Sequence, residues 1–258
     1  MTLTGQAKLI KPLFNPSESN FNFNFLLVGS SGTGKTDLVA RYTKGPVHFY
    51  MFDKGGTSTI NKIVKEKKVN NISVDLFNNS EDKFSEFWDK FQQDEKDGLF
   101  DYLAENNGIL SVDSITKLNI IAKREISLKT SKGNPMIGKK GKAAKWTFDE
   151  WNELGQWMQT FMNCIQDLPC ATTTSVHLVN ETDASGAVVG KSLTLNGAFR
   201  EAIKIDFDEM YLFERKGNNF SVSMQNKANF TARSNTFKQE VYNDLKMDDL
   251  FKKHQATK

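Results

Sequence analysis

The stretch "NFLLVGSSGTGKT", from Asn24 to Thr36, constrains this chain more than any other. A short apolar run leads directly into Gly-x-x-x-x-Gly-Lys-Thr, and "KTDLVARYT" has helical character. That spacing, between a strand and a helix, belongs to a loop wound around a polyphosphate. Gly29, Gly32 and Gly34 let the backbone of Gly29, Ser30, Ser31, Gly32, Thr33 and Gly34 curl until its N–H groups face phosphate oxygens. The new helix points the positive end of its dipole at the same anion. Lys35 is placed to contact the terminal phosphates, and Thr36 to offer its hydroxyl to Mg²⁺.

A hard divalent cation also takes a carboxylate, here expected at the end of a neighbouring buried strand. Asp113, closing the apolar run of "GILSVDS", meets that need, so Thr36 and Asp113 are the candidate metal ligands. Hydrolysis further needs a group that orients water. Asp53 ends the strand "PVHFYMFD" and is the candidate base, provided that strand lies between the other two in the sheet. His177 ends "ATTTSVH" and is the candidate sensor of a terminal phosphate. Lys35, Asp53 and His177 therefore form the candidate catalytic set.

The remaining pattern is expected to build an α/β fold, with a mainly parallel sheet and antiparallel C-terminal strands. "ISVDLF" reads as a weaker strand, and Glu81 to Leu103 as one helix with Phe84, Phe87, Trp88 and Phe91 on one face. A further helix spans Phe148 to Gln166. "ETDASGAVVGK" reads as a loop, and "EMYLFER", "FSVSMQ" and "NFTARS" as short late strands. Residues 1–22, with Pro12 and Pro16, read as an irregular arm, 23–240 as one domain, and 241–258 as a charged helix and tail.

Charge is informative only locally, because the chain is near balance at +3. "ISLKTSKGNPMIGKKGKAAKW", from Ile126 to Trp146, holds six lysines and no acid, and reads as a flexible basic loop. Cys164 and Cys170, in "CIQDLPC", match no metal spacing and suit a reduced pair in a cytoplasm. No stretch reads as a signal peptide or a membrane span, so a soluble intracellular protein with no membrane partner is expected.

The order of a P-loop strand, a strand ending in an acid, an Asp-Ser strand and a strand ending in a polar residue resembles the RecA-like ATPase core. Within that group, "LLVGSSGTGKT", "MFDKGG", "GILSVDSITKL", "ATTTSVH" and "LNGAFREAIKIDFDEMYLFERKG" look like the phage-encoded RecA-like ATP-binding proteins. Some of those are single-strand annealing proteins of the Sak-four class. The resemblance covers roughly Phe23 to Arg233.

It implies a RecA-like P-loop NTPase core using ATP and Mg²⁺, with phosphate contacts at Gly34, Lys35 and Thr36, metal at Thr36 and Asp113, and a γ-phosphate sensor at His177. The guanine-reading "NKxD" pattern is absent, which favours ATP. Relatives often carry a glutamate just before the double glycine, where this chain has Lys54; its acid, Asp53, stands one residue earlier. The resemblance also implies that segments after the Asp113 strand and after the His177 strand line a path for single-stranded DNA. Lys129, Lys132, Lys139, Lys140, Lys142 and Lys145 are the candidate DNA contacts. Trp146 is a candidate for stacking on a base or for the core beside Trp151 and Trp157.

Lys227 or Arg233 would complete a neighbour's site in a homo-oligomer, and the terminal helix is a candidate dock for a single-strand-binding protein. The expected function is an ATPase that binds single-stranded DNA and assists phage-type recombination or annealing, in the host cytoplasm if the chain is viral. A DNA motor or helicase loader, and a nucleotide-gated protein-interaction module without DNA binding, stand as alternatives.

Overall fold

In the chain's computed structural model, the described residues are 23–67, 71–79, 81–130, 146–207, 209–224, 232, 234, 241–243 and 245–256. The strands are β1 (Asn24–Val28), β2 (Val47–Met51), β3 (Ile72–Leu76), β4 (Ile109–Asp113), β5 (Ala171–Val176), β6 (Leu178–Thr182), β7 (Val188–Leu193), β8 (Glu209–Lys216), β9 (Asn219–Ser223) and β10 (Val241–Tyr242). The helices are α1 (Lys35–Ala40), α2 (Lys54–Lys67), α3 (Phe84–Lys96), α4 (Leu99–Glu105), α5 (Ile115–Thr130), α6 (Phe148–Asp167), α7 (Gly197–Asp206) and α8 (Met247–Ala256).

Eight strands share one sheet in the order β10-β9-β8-β1-β5-β4-β2-β3. Neighbours from β8 through β3 are all parallel, and β9 and β10 add antiparallel strands at one edge. The expected mixed sheet is therefore present, with one correction. β8, "EMYLFER", is not antiparallel but joins β1 in parallel, because α7 carries the chain back across the sheet before β8 begins.

Parallel sheets need both faces covered. Alternation along the strands sends Leu26, Val28, Tyr50, Leu110, Val112, Met210 and Leu212 to one face, under helices α3 to α7. Phe25, Leu27, Phe49, Met51, Tyr211 and Phe213 point to the other, beneath α1, α2 and α8. The helices present apolar faces at matching spacing, such as Leu154, Met158, Phe161, Met162 and Ile165 on α6. That helix starts where a capping box holds it: Thr147 Oγ1 accepts from Glu150 N–H, and Glu150 accepts from Thr147 N–H at 2.6 Å.

Three other expectations change. The helix expected over Glu81 to Leu103 is two, broken at Gly98, whose φ of 77° ends α3 and opens α4. "ETDASGAVVGK" is no open loop: β6 and β7 pair as an antiparallel hairpin closed by an Asp183 turn. The stretch from Ile126 does not begin as a loop either. α5 continues to Thr130 because Ile126 is fully buried, extending the stripe of Leu118, Ile121 and Ala122. At the chain end, β10 extends the main sheet before α8 begins, and Met247 and Leu250 of α8 pack into the core.

The aromatic core centres on Phe87, which is fully buried. Its ring lies 5.0 to 6.3 Å from those of Tyr50, Phe52, Phe77, Phe84, Phe91 and Phe161, joining β2, α3 and α6. Phe87→Ala should lower stability by about 3–5 kcal/mol, through lost burial and a cavity that six rings cannot jointly close. A urea titration checks this as a lower midpoint at unchanged slope.

Candidate nucleotide site

The site lies along the carboxyl ends of β1, β5, β4 and β2. The loop from Gly29 to Gly34 leaves β1 and enters α1 directly. Gly29 admits no side chain, since a Cβ there would sit 2.6 Å from the Phe213 carbonyl oxygen. Gly34 has a φ of 96°, a left-handed backbone that turns the loop into the helix without strain only for glycine. Ser30, Ser31 and Gly32 are exposed, while Thr33 is buried and donates to Ser30 O at 2.9 Å. The first-turn N–H groups of α1 have no intrahelical acceptors and remain available to an anion.

Lys35 is buried. Its ammonium donates to Gly29 O at 2.7 Å and Ser30 O at 2.9 Å, so it is held against the loop. Burial pulls its pKa down to about 8, against the opposing pull of the Asp113 and Asp53 carboxylates. Thr36 Oγ1 donates to Asp113 Oδ2 at 2.5 Å, and Ser175 Oγ donates to the other carboxylate oxygen. Two hard oxygens thus converge, one of them on a carboxylate already fixed by a neighbour. That donor set fits Mg²⁺, with Thr36 and Asp113 as the protein ligands. The Asp113–Ser114 peptide is cis.

Asp53 reaches this group by a route other than the expected one. β2 does not lie between the strands of the loop and of Asp113; β5 does, and β2 pairs on the far side of β4. Met51 is in register with Asp113, so Asp53 stands two residues beyond the rim, just before α2. One of its oxygens accepts from Gly55 N–H at 3.1 Å, and the other is 3.6 Å from His177 Nε2. Burial and the Lys35 ammonium push the His177 pKa below its ordinary value, outweighing Asp53 and Asp113. His177 is accordingly neutral near pH 7.

The structure therefore brings together Lys35, Thr36, Asp53, Asp113 and His177. Ser175 and Thr116 belong to the same assembly but carry no sequence signal, since a hydroxyl in a strand or helix is ordinary. Ser175 fixes Asp113, and Thr116 Oγ1 accepts from His177 N–H at 3.0 Å.

Among the candidate DNA contacts, Lys132, Lys139, Lys140, Lys142 and Lys145 lie outside the described residues, as do Lys227 and Arg233. Lys129 is described, and it is not a free loop cation. It sits on α5, 3.2 Å from the Glu125 carboxylate, with its ammonium 4.4 Å from the centre of the Trp157 ring. Lys123 lies over Trp146 and Trp151 at 5.1 and 4.7 Å. Trp146 is half-buried against the core and donates to Ser127 Oγ, in keeping with the core alternative. No helix among the described residues is long and apolar enough to cross a membrane.

Holding Lys35 charged costs the nucleotide-free fold stability. Its folded pKa is below the unfolded value of 10.5, so from about pH 8 upward the unfolded chain binds the extra proton and the fold gains stability. Lys35→Met should therefore be more stable than the parent at pH 7 by on the order of 1–3 kcal/mol, despite losing nucleotide binding. The gap should narrow between pH 8 and 10. Urea midpoints of both proteins at pH 7 and 10 check this, and a pH-independent gap would contradict it.

Comparison with known proteins places this geometry in a family. The model of an AAA domain family matches residues 22–236. Among solved structures, a prototypical ATPase from the type III secretion system of pathogenic bacteria aligns at 13% identity with a TM-score of 0.44, over 75% of this chain and 51% of that one. The ATPase EscN, assembled with its central stalk EscO from enteropathogenic E. coli, aligns at 9% identity with a TM-score of 0.45, over 76% of this chain and 42% of that one. This chain thus spans about half the length of these solved ATPases. No curated protein matches it. With the family model covering most of its length, the chain belongs to the AAA domain family and carries an AAA-type P-loop ATPase domain, of a kind that uses ATP with Mg²⁺.

Proposed function

We propose that the protein hydrolyses ATP and uses the state of the γ-phosphate to govern its hold on single-stranded DNA, in recombination or strand annealing. The observation that carries this reading is the placement of His177. Its ring faces Asp53 at the phosphate end of the site. Its backbone N–H is bonded to Thr116 of α5, and its carbonyl accepts from Thr194 N–H at 2.8 Å. α5 leads into the lysine-rich stretch, while His177 and Thr194 close the base of the β6–β7 hairpin. His177 therefore links the Asp53 end of the site to the first turn of α5, the helix that precedes the lysine-rich stretch, and to the base of the hairpin.

In this reading the loop amides and Lys35 bind the phosphates, and Thr36 and Asp113 hold Mg²⁺, which offsets phosphate charge. Asp53, with one oxygen fixed by Gly55, uses the other to orient the attacking water. His177, neutral, engages the γ-phosphate and passes its loss to α5 and the hairpin. The lysines beyond α5 neutralise DNA phosphates with no base-edge reading, so binding is sequence-tolerant and weakens with salt. A resemblance to the phage Sak-four class supports the recombination role, and a homo-oligomer follows if Lys227 or Arg233 completes a neighbouring site.

One observation favours a second reading. Lys123 and Lys129 are engaged within the protein, which leaves less free charge beside the site than the sequence suggests. A nucleotide-gated module that docks an acidic protein surface would need no more.

Steady-state ATPase rates with and without unstructured single-stranded DNA separate the two. Lys35→Ala should reduce turnover at least about 100-fold. DNA should stimulate the parent severalfold, and joint reversal of Lys139, Lys140 and Lys142 to Glu should remove the stimulation while sparing the basal rate. A rate indifferent to DNA, with no DNA retained in the ATP-bound state, sinks the DNA reading and leaves the switch.

A further inference from the structure

We propose that Phe220 is the platform on which the purine base of the bound nucleotide stacks. This rests on the ATP-binding reading above and deepens it.

The argument begins with the ends of the strands. Val28, the last residue of β1, is level with Leu212 of β8. β1 gives way there to the phosphate loop, but β8 runs on to Lys216, about 13 Å further at the ordinary strand rise. β9 then turns back, setting Phe220 opposite Arg215. The β8–β9 hairpin consequently overhangs the loop and touches both of its ends. Gly29 is pressed against Phe213, and a Cβ at Gly34 would lie 3.3 Å from Phe220 Cδ1.

The direction of the nucleotide follows from the opposite side. β8 and β5 flank β1 on its two sides. Thr36, Asp113, Asp53 and His177 mark the terminal phosphate on the β5 and β4 side. A nucleotide threaded through the loop therefore extends its ribose and base toward the β8–β9 side. Phe220 stands at that end, 42% exposed.

At 42% exposed, the ring presents part of a flat face toward a planar partner at that end of the loop. The Arg215 guanidinium carbon lies 5.1 Å from the ring centre, and its Nε donates to Gly217 O at 2.7 Å, so the cation is tied to the turn and steadies the ring. A purine supplies the flat π face that completes such a platform, and stacking of this kind is tolerant of which purine it is.

The test compares ATP with inorganic tripolyphosphate, which carries the phosphates without the base, by calorimetric titration with Mg²⁺ present. Phe220→Ala and Phe220→Leu should each weaken ATP binding roughly tenfold and change tripolyphosphate binding less than about twofold. Phe220→Tyr should restore ATP affinity, because it restores the ring. Leucine keeps the bulk against Gly34, so a fault of local packing in the alanine variant is visible by comparison. Unchanged ATP affinity in both variants overturns the proposal. So does an equal loss of ATP and tripolyphosphate, which would make Phe220 a prop for the loop. If the parent protein itself binds neither compound, the ATP-binding reading fails before this inference is reached.

Discussion

The contact from Thr36 Oγ1 to Asp113 Oδ2 joins residues 77 positions apart, and the whole arrangement depends on it. Thr36 belongs to the first helix and Asp113 to the fourth strand, so they meet only if the chain returns three times to the same rim of a parallel sheet. β5, inserted between β1 and β4, sets the gap that the phosphate loop must span. It also brings Ser175 to the second oxygen of Asp113. A buried carboxylate is tolerable when neighbours donate to it. Here two donors are neutral hydroxyls, and the compensating cation, Lys35, is itself partly desolvated. The site is therefore a place where folding holds charges in poor solvent, ready for a ligand that supplies both phosphate and metal.

The same rim brings neighbouring segments within reach of one another. In a parallel sheet, every strand delivers its following loop to one edge. Asp53, Asp113 and His177 are each at such an exit. His177 differs from the others in being fixed through its backbone, to Thr116 on one side and Thr194 on the other. A shift of its ring toward or away from a phosphate thus has two packed elements to act on, α5 and the β6–β7 hairpin. That is a contiguous physical connection, and whether any energetic coupling runs along it is what ATPase rates with and without DNA would test.

Much of this site was legible in the sequence because its signals are local. The P-loop pattern needs only eight consecutive residues, and Asp113 needs only its own apolar strand. Asp53 was singled out on a condition that the sheet does not meet: strand order is a tertiary property, and no local pattern says that β5 rather than β2 lies beside β1. The start of the lysine stretch, Ile126 to Thr130, misled for a related cause. Read from Ile126 onward it has no apolar period, but that residue continues a stripe begun at Leu118 in the preceding turns. Glu125, just before that stretch, is buried, pairs with Lys129 and accepts from Ser85 N–H on α3. The β6–β7 hairpin escaped because its exposed strands lack the alternation that one buried face imposes. Phe220 was invisible as a functional residue, since only the register of β8 on β1 reveals that its hairpin overhangs the loop.

The departure at Lys54 has a structural counterpart. Lys54 is the first residue of α2, so the preceding Asp53 occupies the cap position and accepts from Gly55 N–H, two residues on. A glutamate at position 54 would start from inside the helix, with a longer side chain and no such bond to fix it. The shorter acid one residue earlier gives up part of its reach and is anchored in return. With one oxygen committed to the helix start, its other oxygen is directed toward His177. In the proposed mechanism the helix cap and the water-orienting group are thus the same carboxylate, and the direction in which α2 sets out would determine where the reaction's water is held.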